Sequence, residues 1–389
     1  MRKAECGIMT TSPLRGTPPK NSSVIFKRRV IALICSIVPP IFLRVTTLNS
    51  QDMIKLIKQL AGEHAIEAEG LRRLLAACGD DNTFDQLRDK AAQIACEQFG
   101  FGIFTRGLIE ISSYCRNNCY YCGLRRDNKN ASRYRLSDEE ILACCKDGYN
   151  AGLRTFVLQG GEDAAFTDER LVNLISQLRH QCPEAAITLS LGERKAESYQ
   201  RLYEAGASRY LLRHEAANRD LYEQIHPGEM SHANRIDCIK TLTRIGYQAG
   251  MGMMVGVPGQ TIDHLVEDLL MMQEIRPAMI GIGTFIPHPD TPLGSAPTGD
   301  LRLTLAMIAI TRLMHPNANI PATTALASLS PTGYLDGILS GANVVMPNIS
   351  PLTARPKYEI YPGKEHSQNG ITTTLNNLSQ QLATIGYHL

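Results

Sequence analysis

Nothing in this chain is apolar for long enough to cross a bilayer. The apolar run at 30–43 has fourteen residues, interrupted by Pro39-Pro40, where a spanning helix needs roughly 20. Charge of one sign is not in excess: 40 basic side chains stand against 38 acidic ones, for a net +2 at pH 7. No basic block dominates the body of the chain, as the footprint of a nucleic-acid binder would. Membrane and nucleic acid are therefore not expected as partners. Short repeats and low-complexity tracts are missing too, which excludes solenoids and arrays. The 11 cysteines are odd in number and lack the spacing of a disulfide framework. That excludes a small stapled secreted fold and points to a reducing, cytoplasmic setting, where a few cysteines serve a metal or a reaction.

What is present divides into three parts. Residues 1–50 carry eight Lys or Arg and one acid, Glu5, with Arg28-Arg29 just before the apolar run. A charged lead-in and a short apolar stretch resemble a targeting segment, but no small-residue cleavage site follows Leu43. The preferred reading is a start assigned too far upstream, with translation from near Met53; a functional extension is a third. Over 51–106 the pattern is helical, with Ile54, Leu56, Ile57 and Leu60 on one face and Leu71, Leu74 and Leu75 on another.

From 107 to 389, short apolar or β-branched runs alternate with helical stretches. Strands are expected at 107–112, 155–159, 187–191, 209–213, 248–257, 279–285, 319–323 and 343–346. Ser137 and Glu140 form a capping-box pair at one helix start and Thr167 opens another. This alternation predicts an α/β fold, a (β/α)8 TIM-type barrel with an N-terminal helical extension. A doubly wound sheet is the rival, but it would want a glycine-rich dinucleotide turn after the first strand. Cysteines stand there instead.

The first strand runs into Cys115-Arg-Asn-Asn-Cys119-Tyr-Tyr-Cys122, at the C-terminal mouth where barrels carry their active sites. Three thiolates in so short a loop suit an iron–sulfur cluster. Three ligands for four irons leave one iron open to chelate an amine and a carboxylate. The competing reading, a structural zinc site, wants a fourth ligand, commonly from a second knuckle, and none follows nearby. Gln159-Gly160-Gly161-Glu162 closes the second strand, and Gly252-Met-Met-Val255-Gly256-Val-Pro-Gly259-Gln-Thr261 the fifth. Glycines there permit close approach of backbone to a ligand.

These motifs resemble the radical S-adenosylmethionine (SAM) superfamily, whose CxxxCxxC signature has an aromatic before its last cysteine, here Tyr121. Longer stretches narrow the resemblance: Leu211-Leu-Arg213-His214-Glu215, Phe285-Ile-Pro-His288-Pro-Asp290-Thr-Pro-Leu293, Ile320-Pro-Ala-Thr323-Thr324-Ala325, Gly341-Ala-Asn-Val-Val-Met346-Pro-Asn348 and Tyr361-Pro-Gly-Lys364. From about Met53 to the C-terminus the sequence is similar to the HydE family of [FeFe]-hydrogenase maturases. That resemblance implies one [4Fe-4S] cluster on Cys115, Cys119 and Cys122. It implies SAM held by Tyr121, Gly160, Gly161, Glu162, Glu215, Arg235 and Val255, and cleaved reductively to methionine and a 5′-deoxyadenosyl radical. It further implies an organometallic substrate, an iron–CO–CN–cysteine precursor or similar small molecule, met by Thr188, Arg209, Thr323, Thr324 and Met346, with Tyr361 in a catalytic part. By strand alternation, Thr323 and Thr324 do not both face inward equally, and Met346 reads equally well as core. Implied partners are an electron donor such as ferredoxin or flavodoxin, and the other hydrogenase maturases.

Some members hold a second cluster on cysteines after the Tyr-Pro-Gly-Lys motif. Here no cysteine follows Cys238, and His366 falls where the first would stand, so no second cluster is expected. The nearest alternative is a biotin-synthase-like or methylornithine-synthase-like enzyme acting on an organic substrate. A non-catalytic cluster carrier is the alternative from another class.

Overall fold

The structure, a computed structural model, describes residues 50–364 and 367–389. The readings of the N-terminal leader and of His366 lie outside the described residues. Three helices come first: α1 (Ser50–Glu63), α2 (Ala68–Ala77) and α3 (Asp81–Phe99). Each buries its apolar stripe, with Ile57, Leu60, Leu71, Leu74 and Leu87 all in the core. A fully buried side chain of this kind contributes about 1.5–3 kcal/mol. Asp80 starts α3 by accepting from the Thr83 amide at 2.9 Å, satisfying a donor that the first helical turn leaves unpaired.

The strands are β1 (Phe104–Thr105), β2 (Gly107–Ser112), β3 (Thr155–Gly160), β4 (Ala186–Ser190), β5 (Arg209–Leu211), β6 (Gln248–Val255), β7 (Met279–Thr284) and β8 (Val344–Val345). β2 to β7 lie side by side in chain order, all parallel. Single parallel bridges close the ring, from Met279 to Asn319, from Pro321 to Val344 and from Leu108 to Asn348, while β1 pairs with β8. The strand expected at 319–323 is thus reduced to two bridged residues. Pro321 has no N–H for a ladder, and a helix already begins at Thr324. The strand expected at 209–213 stops at Leu211.

Helices fill the crossovers: α4 (Asp138–Asn150), α5 (Asp168–Gln181), α6 (Ala196–Glu204), α7 (Arg219–Ile225), α8 (His232–Ile245), α9 (Ile262–Ile275), α10 (Leu301–Met314), α11 (Thr324–Leu329), α12 (Gly333–Leu339) and α13 (Ile371–Ala383). The Ser137 capping box is formed at α4, with Glu140 N donating to Ser137 Oγ at 3.2 Å and Ser137 N to Glu140 Oε2 at 2.8 Å. On α10, buried Arg312 donates to the carbonyls of Pro316, Ala318 and Gly341 and to Asn343 Oδ1 at 2.7–2.9 Å. Those bonds tie the helix to the segments that launch the last two barrel positions.

Strand alternation sorts side chains between lumen and helices. Ile109, Ile111, Phe156, Leu158, Ile187 and Leu189 join the packed core. Val157, Thr188, Leu211, Gly281 and Met346 line a small enclosed cavity inside the ring. By the same alternation Glu110, Gln159 and Ser190 stand one level higher, toward the C-terminal mouth. Among the described residues no helix is long and apolar enough to cross a membrane.

Candidate active site

The cysteine loop leaves β2 at the C-terminal mouth and is held from two sides. Arg133 donates to the carbonyls of Ser113, Leu124, Arg125 and Asn128 at 2.5–3.2 Å, so one guanidinium folds the loop upon itself. From the neighbouring strand, Gly161 N donates to Ser112 O at 3.3 Å and Glu162 O accepts from Arg116 N at 2.9 Å. Gly161 is required by this contact: a Cβ there would lie 2.2 Å from Tyr114 O and 2.6 Å from Cys115 Cβ. Gly160 is not, since its Cβ would meet ordinary contacts of 3.4 Å or more.

Cys115, Cys119 and Cys122 are unpaired and half-buried, and Cys119 Sγ lies 3.7 Å from Met230 Sδ. Burial pushes the Cys122 thiol up to about 12 and raises Cys115 and Cys119 as well. The neighbouring thiols raise Cys119 further and nearby Arg235 opposes them. A bound cation reverses this preference by stabilising the thiolate. Among the described residues no three His, Cys, Asp or Glu converge on one point, as a single metal ion would require. Thiolates that each take a different iron need not converge.

Carboxylates and guanidiniums crowd the same mouth. Buried Glu162 accepts from Arg116 Nε at 2.8 Å and from Glu193 N at 2.9 Å. Arg235, near the start of α8, is buried with Nε 2.5 Å from Glu193 Oε1 and Nη1 2.8 Å from Arg213 O. Glu215 follows β5 with φ of +67°, a left-handed conformation uncommon outside glycine and often found at functional positions. Its Oε2 is buried without a hydrogen bond, although Arg213 Nη2 stands 3.3 Å away. Arg213 Nε is likewise buried and unbonded. These unsatisfied polar atoms suit a zwitterionic ligand, which is the donor set that SAM beside a three-cysteine cluster calls for. Tyr121 meets His226 Nε2 at 3.2 Å through its hydroxyl. Val255 ends β6 at a turn latched by Gln260, whose side chain accepts from Gly256 N at 2.6 Å and donates to Met254 O at 3.0 Å.

The residues nominated for substrate do not all gather. Thr188 sits inside the ring with a buried, unbonded hydroxyl, and Met346 lines the same cavity. Thr323 lies at the upper end, its hydroxyl near Gly283, while Thr324 opens α11 and bonds the Tyr361 hydroxyl at 3.0 Å. Arg209, expected among the substrate residues of the upper barrel, instead begins β5 and bonds Gln248 and Thr155 at the starts of β6 and β3. It therefore stands at the end of the barrel opposite the cysteines. The guanidinium at the mouth is Arg213, two residues beyond the end of β5 and beside Glu215. Glu193 and the buried pair of Glu110 with Lys364 were not singled out either. Asn348 Nδ2 donates to the other Glu110 oxygen at 2.7 Å. An acid within an apolar strand (Glu110 in 107–112) was the available signal for that pair.

The sequence signature of the Radical SAM superfamily matches residues 109–272. With the barrel and the cysteine loop it defines a radical SAM enzyme, a class that carries a [4Fe-4S] cluster and uses SAM. The [FeFe] hydrogenase maturase subunit HydE of Thermotoga maritima is 46% identical over 286 residues, 73% of this chain and 81% of that protein. The chain belongs to the HydE family. Among solved structures, a methylornithine synthase superposes with a TM-score of 0.75 at 25% identity, covering 86% of this chain and 96% of that one. HydG, a maturase of the [FeFe]-hydrogenase, superposes with a TM-score of 0.73 at 19% identity, over 87% and 76% of the two chains. The last likeness bears on the fold alone.

Proposed function

We propose that this enzyme takes part in building the diiron subcluster of [FeFe]-hydrogenase, acting on a small organometallic iron–CO–CN–cysteine species in the barrel lumen. The observation that carries the reading is the cysteine loop clasped by Gly161 and Glu162 at a mouth where Glu215 and Arg213 keep buried polar atoms without hydrogen bonds. Identity to HydE across most of the chain supports it.

When bound and reduced, the cluster supplies the electron that cleaves SAM to methionine and a 5′-deoxyadenosyl radical. Cys115, Cys119 and Cys122 hold that cluster, and with no cysteine after Cys238 the chain holds only one. Glu162, Glu215 and Arg235 orient SAM, with Tyr121, the glycines at 160 and 161 and Val255 shaping its bed. Arg235 forks onto a carboxylate as planar guanidinium donors do, and Glu193 keeps it in place. Thr188, Thr323, Thr324, Tyr361 and Met346 border the substrate space. Arg213 supplies the positive charge for an anionic complex, the part that Arg209 cannot play from the far end. The helices at 51–106 brace the barrel of 107–389. The electron donor is a small soluble carrier, the other maturases are partners, and neither membrane nor nucleic acid is needed, in keeping with a cytoplasmic site of action.

A strain lacking its own HydE but making [FeFe]-hydrogenase and the other maturases tests this. Supplying the chain restores hydrogen evolution, and the Cys119→Ala variant does not. Rescue that survives Cys119→Ala would overturn the radical role. Failure to rescue, with good SAM cleavage on dethiobiotin or lysine, would move the enzyme to organic substrates, the alternative that the likeness to methylornithine synthase keeps in view.

A further inference from the structure

The segment between β5 and α7 is irregular, and it carries Glu215. Residues 212–217 belong to no helix and no strand, and a single parallel bridge joins Glu215 to Met253. Glu215 N donates to Gly252 O at 3.0 Å, and the residue holds its left-handed φ of +67° there. A residue other than glycine keeps that conformation only where its surroundings over-determine it. Burial first, and then charges that include Glu215, raise the Cys119 thiol, the Cys122 thiol and the Tyr121 hydroxyl. The turn therefore brings the Glu215 carboxylate within electrostatic reach of the cysteine loop.

What fixes the turn lies behind it. Asp268 stands on the buried face of α9, among Leu265, Leu269 and Met272. Its side chain and that of His214 are both 0% exposed. An ionised carboxylate can only accept, so His214 Nε2 donates to Asp268 Oδ1, at 3.0 Å, and Ala217 N donates to the same oxygen at 2.6 Å. One oxygen thus grips the turn on both sides of Glu215, by the side chain before it and by an amide after it. Asp268 Oδ2 and His214 Nδ1 are buried with no hydrogen bond. Such atoms are costly in a core, and a leucine on this helix face would avoid the cost. Packing does not account for the acid; the grip on the turn does.

We propose that Asp268 and His214 are positioning residues for Glu215. The buried pair fixes 214–217 in the arrangement that presents the Glu215 carboxylate to SAM, and both residues act through Glu215. The proposal rests on the reading of Glu215 as a residue that holds SAM, and its test separates the two.

The readout is the SAM concentration that half-converts the EPR signal of the reduced, cluster-loaded full chain. It measures binding without turnover, and iron content is determined on every sample. Glu215→Gln weakens SAM binding about tenfold or more. Asp268→Leu keeps the branched shape, removes both accepted bonds and weakens SAM binding about tenfold with iron content unchanged. Asp268→Asn keeps an oxygen acceptor and restores affinity to within about threefold of wild type. Combined with Glu215→Gln, Asp268→Leu adds less than about twofold, because residues that act through one another are non-additive. His214→Phe keeps an aromatic ring and leaves the Ala217 bond in place. It weakens SAM binding about threefold, is equally silent beside Glu215→Gln, and carries the test where Asp268→Leu fails to load iron. Wild-type affinity in either loaded variant, or losses that add fully to that of Glu215→Gln, overturn the positioning role and mark the pair as structural. Wild-type affinity in Glu215→Gln strikes the SAM role of Glu215 itself, and the proposal falls with it.

Discussion

Gly161→Ala cuts SAM cleavage on the order of 100-fold while leaving the barrel folded. The added Cβ would lie 2.2 Å from the Tyr114 carbonyl oxygen and 2.6 Å from Cys115 Cβ. Both are parts of the cysteine loop, so the loop or the end of β3 must shift. A displacement of about 1 Å at a reacting centre costs on the order of 100-fold in rate. Gly160→Ala is the internal control. Its Cβ meets nothing nearer than 3.4 Å, and cleavage falls by only a few-fold. Both variants keep wild-type circular dichroism. Equal activities in the two would mean that the clasp between β3 and the cysteine loop has no catalytic consequence.

Lys364→Met lowers the unfolding free energy by about 3–5 kcal/mol, the usual cost of leaving one partner of a buried ion pair alone. Lys364 and Glu110 are 3% and 0% exposed at their side chains and bond one another directly. Burial raises the Glu110 carboxyl and Lys364 opposes that rise. Without the lysine, only Asn348 and the more distant Arg355 still favour the carboxylate. The double variant Glu110→Gln, Lys364→Met removes the stranded charge and recovers most of the loss, because the two effects are strongly non-additive. Urea midpoints of the four proteins measure the coupling. Additive losses would mean that the pair does not latch the 358–364 strap to β2.

The alternation of strands and helices was legible because most strands have a nearly uninterrupted apolar or β-branched stretch and several helices open on a side-chain cap, as at Ser137, Thr167, Ser231 and Thr261. The cysteine loop and the Gly-Gly-Glu turn were legible for a local reason too: their spacing is chemistry written into consecutive residues. Arg209 was assigned to the mouth although it opens its expected strand, and in a parallel barrel a strand's first residue lies away from the C-terminal mouth. The register, with Arg209 beside Thr188 and Gln248, and its bonds to the starts of β6 and β3 place it there. Glu110 and Lys364 lie 254 positions apart, and no local pattern joins them.

The central claim is a single three-cysteine cluster that binds SAM. Anaerobic reconstitution followed by iron and sulfide analysis tests it most directly, read together with the EPR spectrum of the reduced protein before and after SAM. The account predicts about four iron and four sulfide per chain, as a single cuboidal site holds. It also predicts a spectrum that changes when SAM is added, and loss of both features on replacing Cys115, Cys119 or Cys122 with Ala. About eight irons per chain would contradict the single cluster, and stoichiometric zinc without iron uptake would contradict the cluster itself.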